Sequence, residues 1–179
     1  MRSYGVDAGA VALGGFFALI LGAQQPDPWE RLRTFEGKWE GTATGQRGRG
    51  VSKREYRFDL NGRFLTARNR SVYEPKTPDA KPEVHEDFGV FSFDRKARKL
   101  VLRQFHTEGF VNEYAADLPA PNAKTVEFVT VRIENIPAGW RAKESYRIVS
   151  RDEMIETFSL AEPGKDFETY SETRLKRVE

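Results

Sequence analysis

From Gly37 to the C-terminus the chain alternates apolar and polar residues with a period of two, interrupted only by clusters of turn-forming residues. That period belongs to strands that bury one face and wet the other. The alternating runs are Lys38–Gly45, Ser52–Leu60, Arg63–Tyr73, Val84–Phe93, Lys99–His106, Gly109–Asp117, Thr125–Glu134, Trp140–Ser150, Glu153–Leu160 and Phe167–Val178. Asn61-Gly62 predicts a two-residue type I′ hairpin, while Asp94-Arg95-Lys96-Ala97 and Glu162-Pro163-Gly164-Lys165 predict looser turns. Longer Pro-bearing loops span Glu74–Glu83 and Leu118–Ala123. No long helical pattern interrupts the series, which disfavours parallel βαβ units. Consecutive hairpins predict an all-β fold, a ten-stranded antiparallel up-and-down barrel that closes on itself.

The first strand carries the strongest local signal. Phe35-Glu36-Gly37-Lys38-Trp39-Glu40-Gly41-Thr42-Ala43-Thr44-Gly45 places three glycines in a short run. Glycine inside a strand marks a bend, a bulge or a close backbone approach, which suits a sheet that must curl sharply. Trp39 is then a natural plug for one barrel end, with an indole N–H that needs one acceptor. Upstream, Asp27 can cap and Pro28 suits a first helical position, and Trp29, Leu32 and Phe35 form one apolar stripe. These residues predict a short N-terminal helix that closes a barrel mouth. The expected organisation is a signal peptide over 1–23, a linker and short helix over 24–36, and a barrel domain over 37–179.

The signal-peptide reading rests on Arg2, the apolar run Val11 to Ala23, and the small-residue step at Ala23 before Gln24-Gln25-Pro26. The run is short of the roughly 20 residues that span a bilayer, so no membrane span is expected after processing. The expected location is the periplasm or the exterior. The chain has no cysteine, hence no disulfide and no thiolate metal site. Its net charge of +2, with both signs interspersed, gives no reason to expect a nucleic-acid partner. A homodimer stays open.

Gly37-Lys38-Trp39-Glu40-Gly41 resembles the Gly-x-Trp-x-Gly motif on the first strand of calycin-like barrels. Within that group the chain looks most like the haem-binding β-barrel domains that include the nitrobindins, over residues 28 to 178. Ten strands fit that branch better than the eight of lipocalins. Fatty-acid-binding proteins place two helices between strands one and two, where this chain has only Gln46–Gly50. The resemblance implies haem as a cofactor, held by a last-strand histidine five residues before a leucine. Counting back from Leu175 lands on Tyr170, so the histidine is absent.

A closed barrel of this size encloses a cavity lined by alternate residues. The candidate lining residues are Trp39, Tyr56, Arg68, His106, Tyr114, Tyr146 and Tyr170. Phe58 shares a face with Tyr56, Arg70 and Val72 with Arg68, Leu102 and Gln104 with His106, Asn112 with Tyr114, Glu144 with Tyr146, and Glu172 and Arg174 with Tyr170, while Glu156 and Phe158 share another. The alternation does not say which face points inward, because a one-residue slip exchanges the two. His106, at the end of its strand, can point into a barrel mouth as a base or metal ligand, whereas His85 is expected in solvent. Two histidines without cysteine make a thin metal inventory, and no metal ligand is assigned.

No nucleophile elbow and no phosphate-binding glycine loop is present, so no catalytic residue is assigned. The leading expectation is an exported barrel that binds a small, largely apolar or amphipathic molecule with an acidic group; Arg68 and Arg70 fit either a carboxylate clamp or a solvated surface. Haem binding is one alternative, with His106 or Tyr170 as the iron ligand. A cofactor-free enzyme acting on an acidic substrate is another, with Glu86, Glu144 or Glu156 supplying the carboxylate.

Overall fold

The structure, a computed structural model, describes residues 27–120 and 122–178. The expected signal peptide and the first linker residues lie outside the described residues. The strands are β1 (Gly37–Gly45), β2 (Gly50–Asp59), β3 (Phe64–Tyr73), β4 (Glu83–Asp94), β5 (Lys99–His106), β6 (Val111–Asp117), β7 (Thr125–Glu134), β8 (Arg141–Ser150), β9 (Glu153–Ala161) and β10 (Glu168–Arg177). Each pairs antiparallel with its neighbours in sequence, and β1 pairs with β10 to close the barrel. The expected ten-stranded closed meander is therefore the fold. Among the described residues no helix is long and apolar enough to cross a membrane.

Two local expectations need correction. The N-terminal helix is a single 3-10 turn, Leu32–Phe35, preceded by turns. A segment this short cannot offset the cost of nucleating an α-helix, so i→i+3 bonds such as Glu30 N to Asp27 O and Thr34 N to Arg31 O prevail. The link between β2 and β3 is also not a two-residue turn at Asn61-Gly62. Asp59 pairs with Phe64, and Leu60, Asn61 and Gly62 all adopt positive φ in a four-residue loop.

One end of the barrel is sealed by the segment before β1. Trp29, Leu32 and Phe35 are buried there, as the apolar stripe implies. The Trp39 indole donates to the Phe35 carbonyl at 2.7 Å. Arg177 at the end of β10 donates to the carbonyls of Thr34 and Glu36, with its guanidinium 4.2 Å from the Trp39 ring centroid. Beneath this plug, Phe35, Tyr56, Phe91, Phe128 and Tyr146 meet largely edge to face. Each such ring contributes about 1.5–3 kcal/mol by burial, so this half of the lumen is a packed core.

Closure depends on Gly41. A Cβ there would lie 1.8 Å from the Arg174 carbonyl oxygen of β10, so only glycine lets the two strands meet. Gly48, in the β1–β2 loop, has a φ of 96° but nothing within 4 Å of a Cβ. Gly41→Ala is expected to cost about 3 kcal/mol or more, and Gly48→Ala about 1–2 kcal/mol from backbone strain alone. Urea unfolding of the two variants compares them; equal losses would contradict the closure argument.

Candidate functional site

Strand direction places the ends of β1, β3, β5, β7 and β9 at the mouth opposite the plug, together with the starts of the even-numbered strands. There the lumen opens into a cavity of about 420 Å³. Its walls are apolar: Phe110, Ile133, Ile136, Trp140, Phe158 and Leu160. Its deeper groups are polar, and the register explains which. Tilted strands carry one ladder row from the plug to the mouth. The row runs Arg177, Trp39, Arg54, Asn69, Asp87, His106, each paired with the next across adjacent strands. Residues paired across antiparallel strands share a face, so Trp39 inside places all of the row inside.

An ion pair crosses the lumen. Arg54 on β2 donates through Nε and Nη2 to Glu156 Oε2 on β9, at 3.0 and 2.8 Å, and through Nη1 to Ser71 Oγ at 3.2 Å. The Arg54 and Glu156 side chains are 9% and 7% exposed, so each charge depends on the other for solvation. Asp87 Oδ1 accepts from Asn69 Nδ2 at 2.8 Å and from Gln104 Nε2 at 3.3 Å. Asn112 Nδ2 donates to Tyr114 Oη at 2.8 Å. The amide oxygens of Asn69, Gln104 and Asn112, together with Glu144 Oε2, are buried without a hydrogen-bond partner.

The electrostatics follow from burial. Desolvation first, then the charges of Glu156 and Asp87, hold the Glu144 carboxyl well above the usual carboxylate range. Burial and the charge of Glu156 push Asp87 up to about 6, against the pull of Arg54. Burial, and then the neighbouring His85, lower His106 to about 4, so its imidazole is neutral.

Of the seven candidate lining residues, His106 and Tyr170 line the cavity. Trp39, Tyr56, Tyr114 and Tyr146 point inward but are buried outside the cavity lining, in the hydrophobic core. Arg68 is a correction: it lies on the outer face with its guanidinium 5.1 Å from the Phe88 ring centroid, because its neighbours Ala67 and Asn69 take the inward positions of β3. His85 is a second correction, a cavity-lining residue with a side chain only 19% exposed. Sequence reasoning also missed Arg47, Arg54, Asn69 and Asp87, all of which line the cavity. Hairpin pairing held the signal, since counting back from Asp94–Lys99 pairs Asp87 with His106.

The residues present do not fit a haem. Tyr170, at the position where the resemblance implies the ligand, accepts a hydrogen bond from Arg47 Nε at 3.2 Å. Beneath its apolar walls the cavity ends on Arg54, Asp87, Glu144 and Glu156, where a macrocycle would need the apolar slot to continue.

No protein-family model matches the chain, and no curated protein gives a significant match. Among solved structures, the crystal structure of Rv2717c from M. tuberculosis superposes with a TM-score of 0.65 at 17% identity, over 86% of this chain and 99% of that one. That similarity supports the barrel fold. A protein with unknown function from the DUF3598 family of Nostoc punctiforme also aligns, at 10% identity over 86% of this chain and 100% of that one, but with a TM-score of 0.29.

A buried Glu144 has a definite signature. Its folded pKa lies above its unfolded value, so no penalty exists below about pH 4.3, and stability falls as pH rises from there through the folded value. Glu144→Gln is therefore expected to raise the melting temperature at pH 8 and leave it nearly unchanged at pH 4. Differential scanning calorimetry at both pH values checks this, and an equal gain at both would contradict it.

Proposed function

We propose that the chain is an exported, calycin-like barrel whose open half binds one small amphipathic molecule, polar group first. The observation that carries this reading is the cavity itself: apolar walls over deep polar groups whose oxygens have no partner. A cavity of about 420 Å³ falls in the range of small-molecule sites.

The unpartnered atoms define the polar group. Asn69 and Gln104 are oriented by Asp87, which accepts from their NH2 groups and leaves their oxygens facing elsewhere. Asn112 is oriented in the same way by Tyr114. A buried acceptor without a donor costs about 1–3 kcal/mol, and because these oxygens expose almost no surface as placed, a ligand that donates hydrogen bonds recovers that cost once the amides turn toward it. This favours an amine, hydroxyl or amide head. It replaces the expected acidic group, since Arg68 and Arg70 both lie on the outer face of β3 and take the solvated reading. The apolar run at residues 11–23 supports export as part of the same reading.

N-Phenyl-1-naphthylamine carries an aromatic body and one N–H donor, and its emission rises in apolar surroundings. We expect saturable one-to-one enhancement with the chain starting at residue 24. Ser171 lines the cavity, and Ser171→Trp is expected to abolish the enhancement while the melting temperature stays within a few degrees. Enhancement that is absent, or that persists in a folded Ser171→Trp variant, would overturn the reading.

A further inference from the structure

We propose that His85, Asp87 and His106 form a binding site for one divalent first-row transition metal at the mouth of the lumen, with its remaining coordination positions facing the cavity. The three are brought together by register. His85 and Asp87 are two apart on β4 and therefore share a face, and Asp87 pairs directly with His106 on β5. One ligand atom from each lies within 4.8 Å of the others, and all three residues line the cavity.

The hydrogen bonding leaves a gap shaped for a cation. His85 Nδ1 lies 2.8 Å from Glu108 Oε1, a carboxylate that can only accept, so Nδ1 carries a proton and, in the neutral imidazole, Nε2 presents its lone pair toward Asp87. That Nε2 lies 3.9 Å from Asp87 Oδ2, where a divalent cation would take the place of the proton an imidazolium carries. Asp87 Oδ1 is occupied by the Asn69 and Gln104 amides, which fixes the carboxylate and leaves Oδ2 pointing at the imidazole. His106 is stacked on Phe110 with ring centroids 4.1 Å apart; its Nδ1 is buried without a partner, and its Nε2 lies 3.4 Å from Asn112 Nδ2, an amide that a metal at Nε2 would displace. Gln104, 3% exposed, adds another unpartnered buried oxygen in the same wall.

Two atoms that share one ion at about 2.1 Å lie at most about 4.2 Å apart, so the 3.9 Å gap is already within reach and the widest spacing needs only a small side-chain adjustment. The Glu108–His85 contact matches the outer carboxylate that commonly orients a metal-bound imidazole. Arg47 holds Glu108 in turn, at 3.4 Å. Two imidazoles and a carboxylate without thiolate suit zinc, iron(II), cobalt(II) or nickel(II) rather than calcium or magnesium. Three protein ligands leave positions open for water or for a molecule in the cavity.

The test uses tag-free chain from residue 24, stripped with chelator and titrated with cobalt(II) alone by absorbance and zinc(II) alone by calorimetry. One equivalent is expected to bind. His85→Ala and His106→Ala should each weaken affinity beyond the ~10–100-fold that loss of an outer carboxylate costs, and Glu108→Gln should fall within that range. Arg68→Ala should leave affinity unchanged. If a histidine variant fails to fold, manganese(II) added to the ¹⁵N-labelled wild-type chain decides instead, with line broadening expected around residues 85–87 and 106. No binding, binding unchanged in the double His85→Ala/His106→Ala variant, or broadening centred on the outer face would each overturn the site. None of these readouts depends on the organic ligand, so this site and the amphipathic-ligand reading can fail separately.

Discussion

The ion pair between Arg54 and Glu156 divides the barrel. β2 and β9 are separated by β1 and β10 in the wall, so the pair reaches across the lumen instead of along the sheet. Two charges withdrawn from water cost several kcal/mol each, repaid only by close geometry and further hydrogen bonds. Ser71 supplies one of these to Arg54. An apolar pair of similar size would have packed at least as well, so the charges are poorly explained by stability alone. They keep the upper lumen polar and prevent the aromatic core from filling the whole barrel. Below them the lumen is closed by Phe91, Phe128, Tyr146 and the N-terminal plug; above them it is open.

The first strand ties this division to the sequence. Gly41 admits β10 at a distance no side chain tolerates, which lets the barrel close. Tilt then carries one ladder row from Arg177 and Trp39 at the plug, through Arg54, Asn69 and Asp87, to His106 at the mouth. The same geometry that seals one end with Trp39 thus delivers an arginine, an amide, a carboxylate and an imidazole in succession to the other. Arg47, in the β1–β2 loop, extends the network over the rim through Glu83, Glu108 and Tyr170.

Much of this architecture is legible in the chain because period-two alternation and turn residues are local properties. Lys99–His106 and Thr125–Glu134 are read to the residue. So is the burial of Trp29, Leu32 and Phe35, although the stripe lies on turns and not on an α-helix. The site is less legible because it depends on parity and depth. One step along β3 separates Arg68 outside from Asn69 inside. Tyr170 reaches the lumen through an irregularity in the β9–β10 register between Thr169 and Ser171, which alternation cannot reveal. Tyr56, Tyr114 and Tyr146 have the right parity but lie in the core, and depth emerges only when the strands are tilted and closed. His85 reads as a solvent residue beside a Pro-bearing loop until β5 and its turn bring Glu108 against it.

The central claim is that the polar groups around Arg54 and Glu156 confine binding to one half of the lumen. Amide chemical shifts of the ¹⁵N-labelled chain, followed during titration with N-phenyl-1-naphthylamine, test it most directly. The account predicts shifts at His106, Phe110, Ala142, Tyr170 and Ser171, with Leu102, Phe128 and Tyr146 unmoved. Shifts spread evenly through both halves, or gathered around Arg68 and Phe88 on the outer wall, would contradict it.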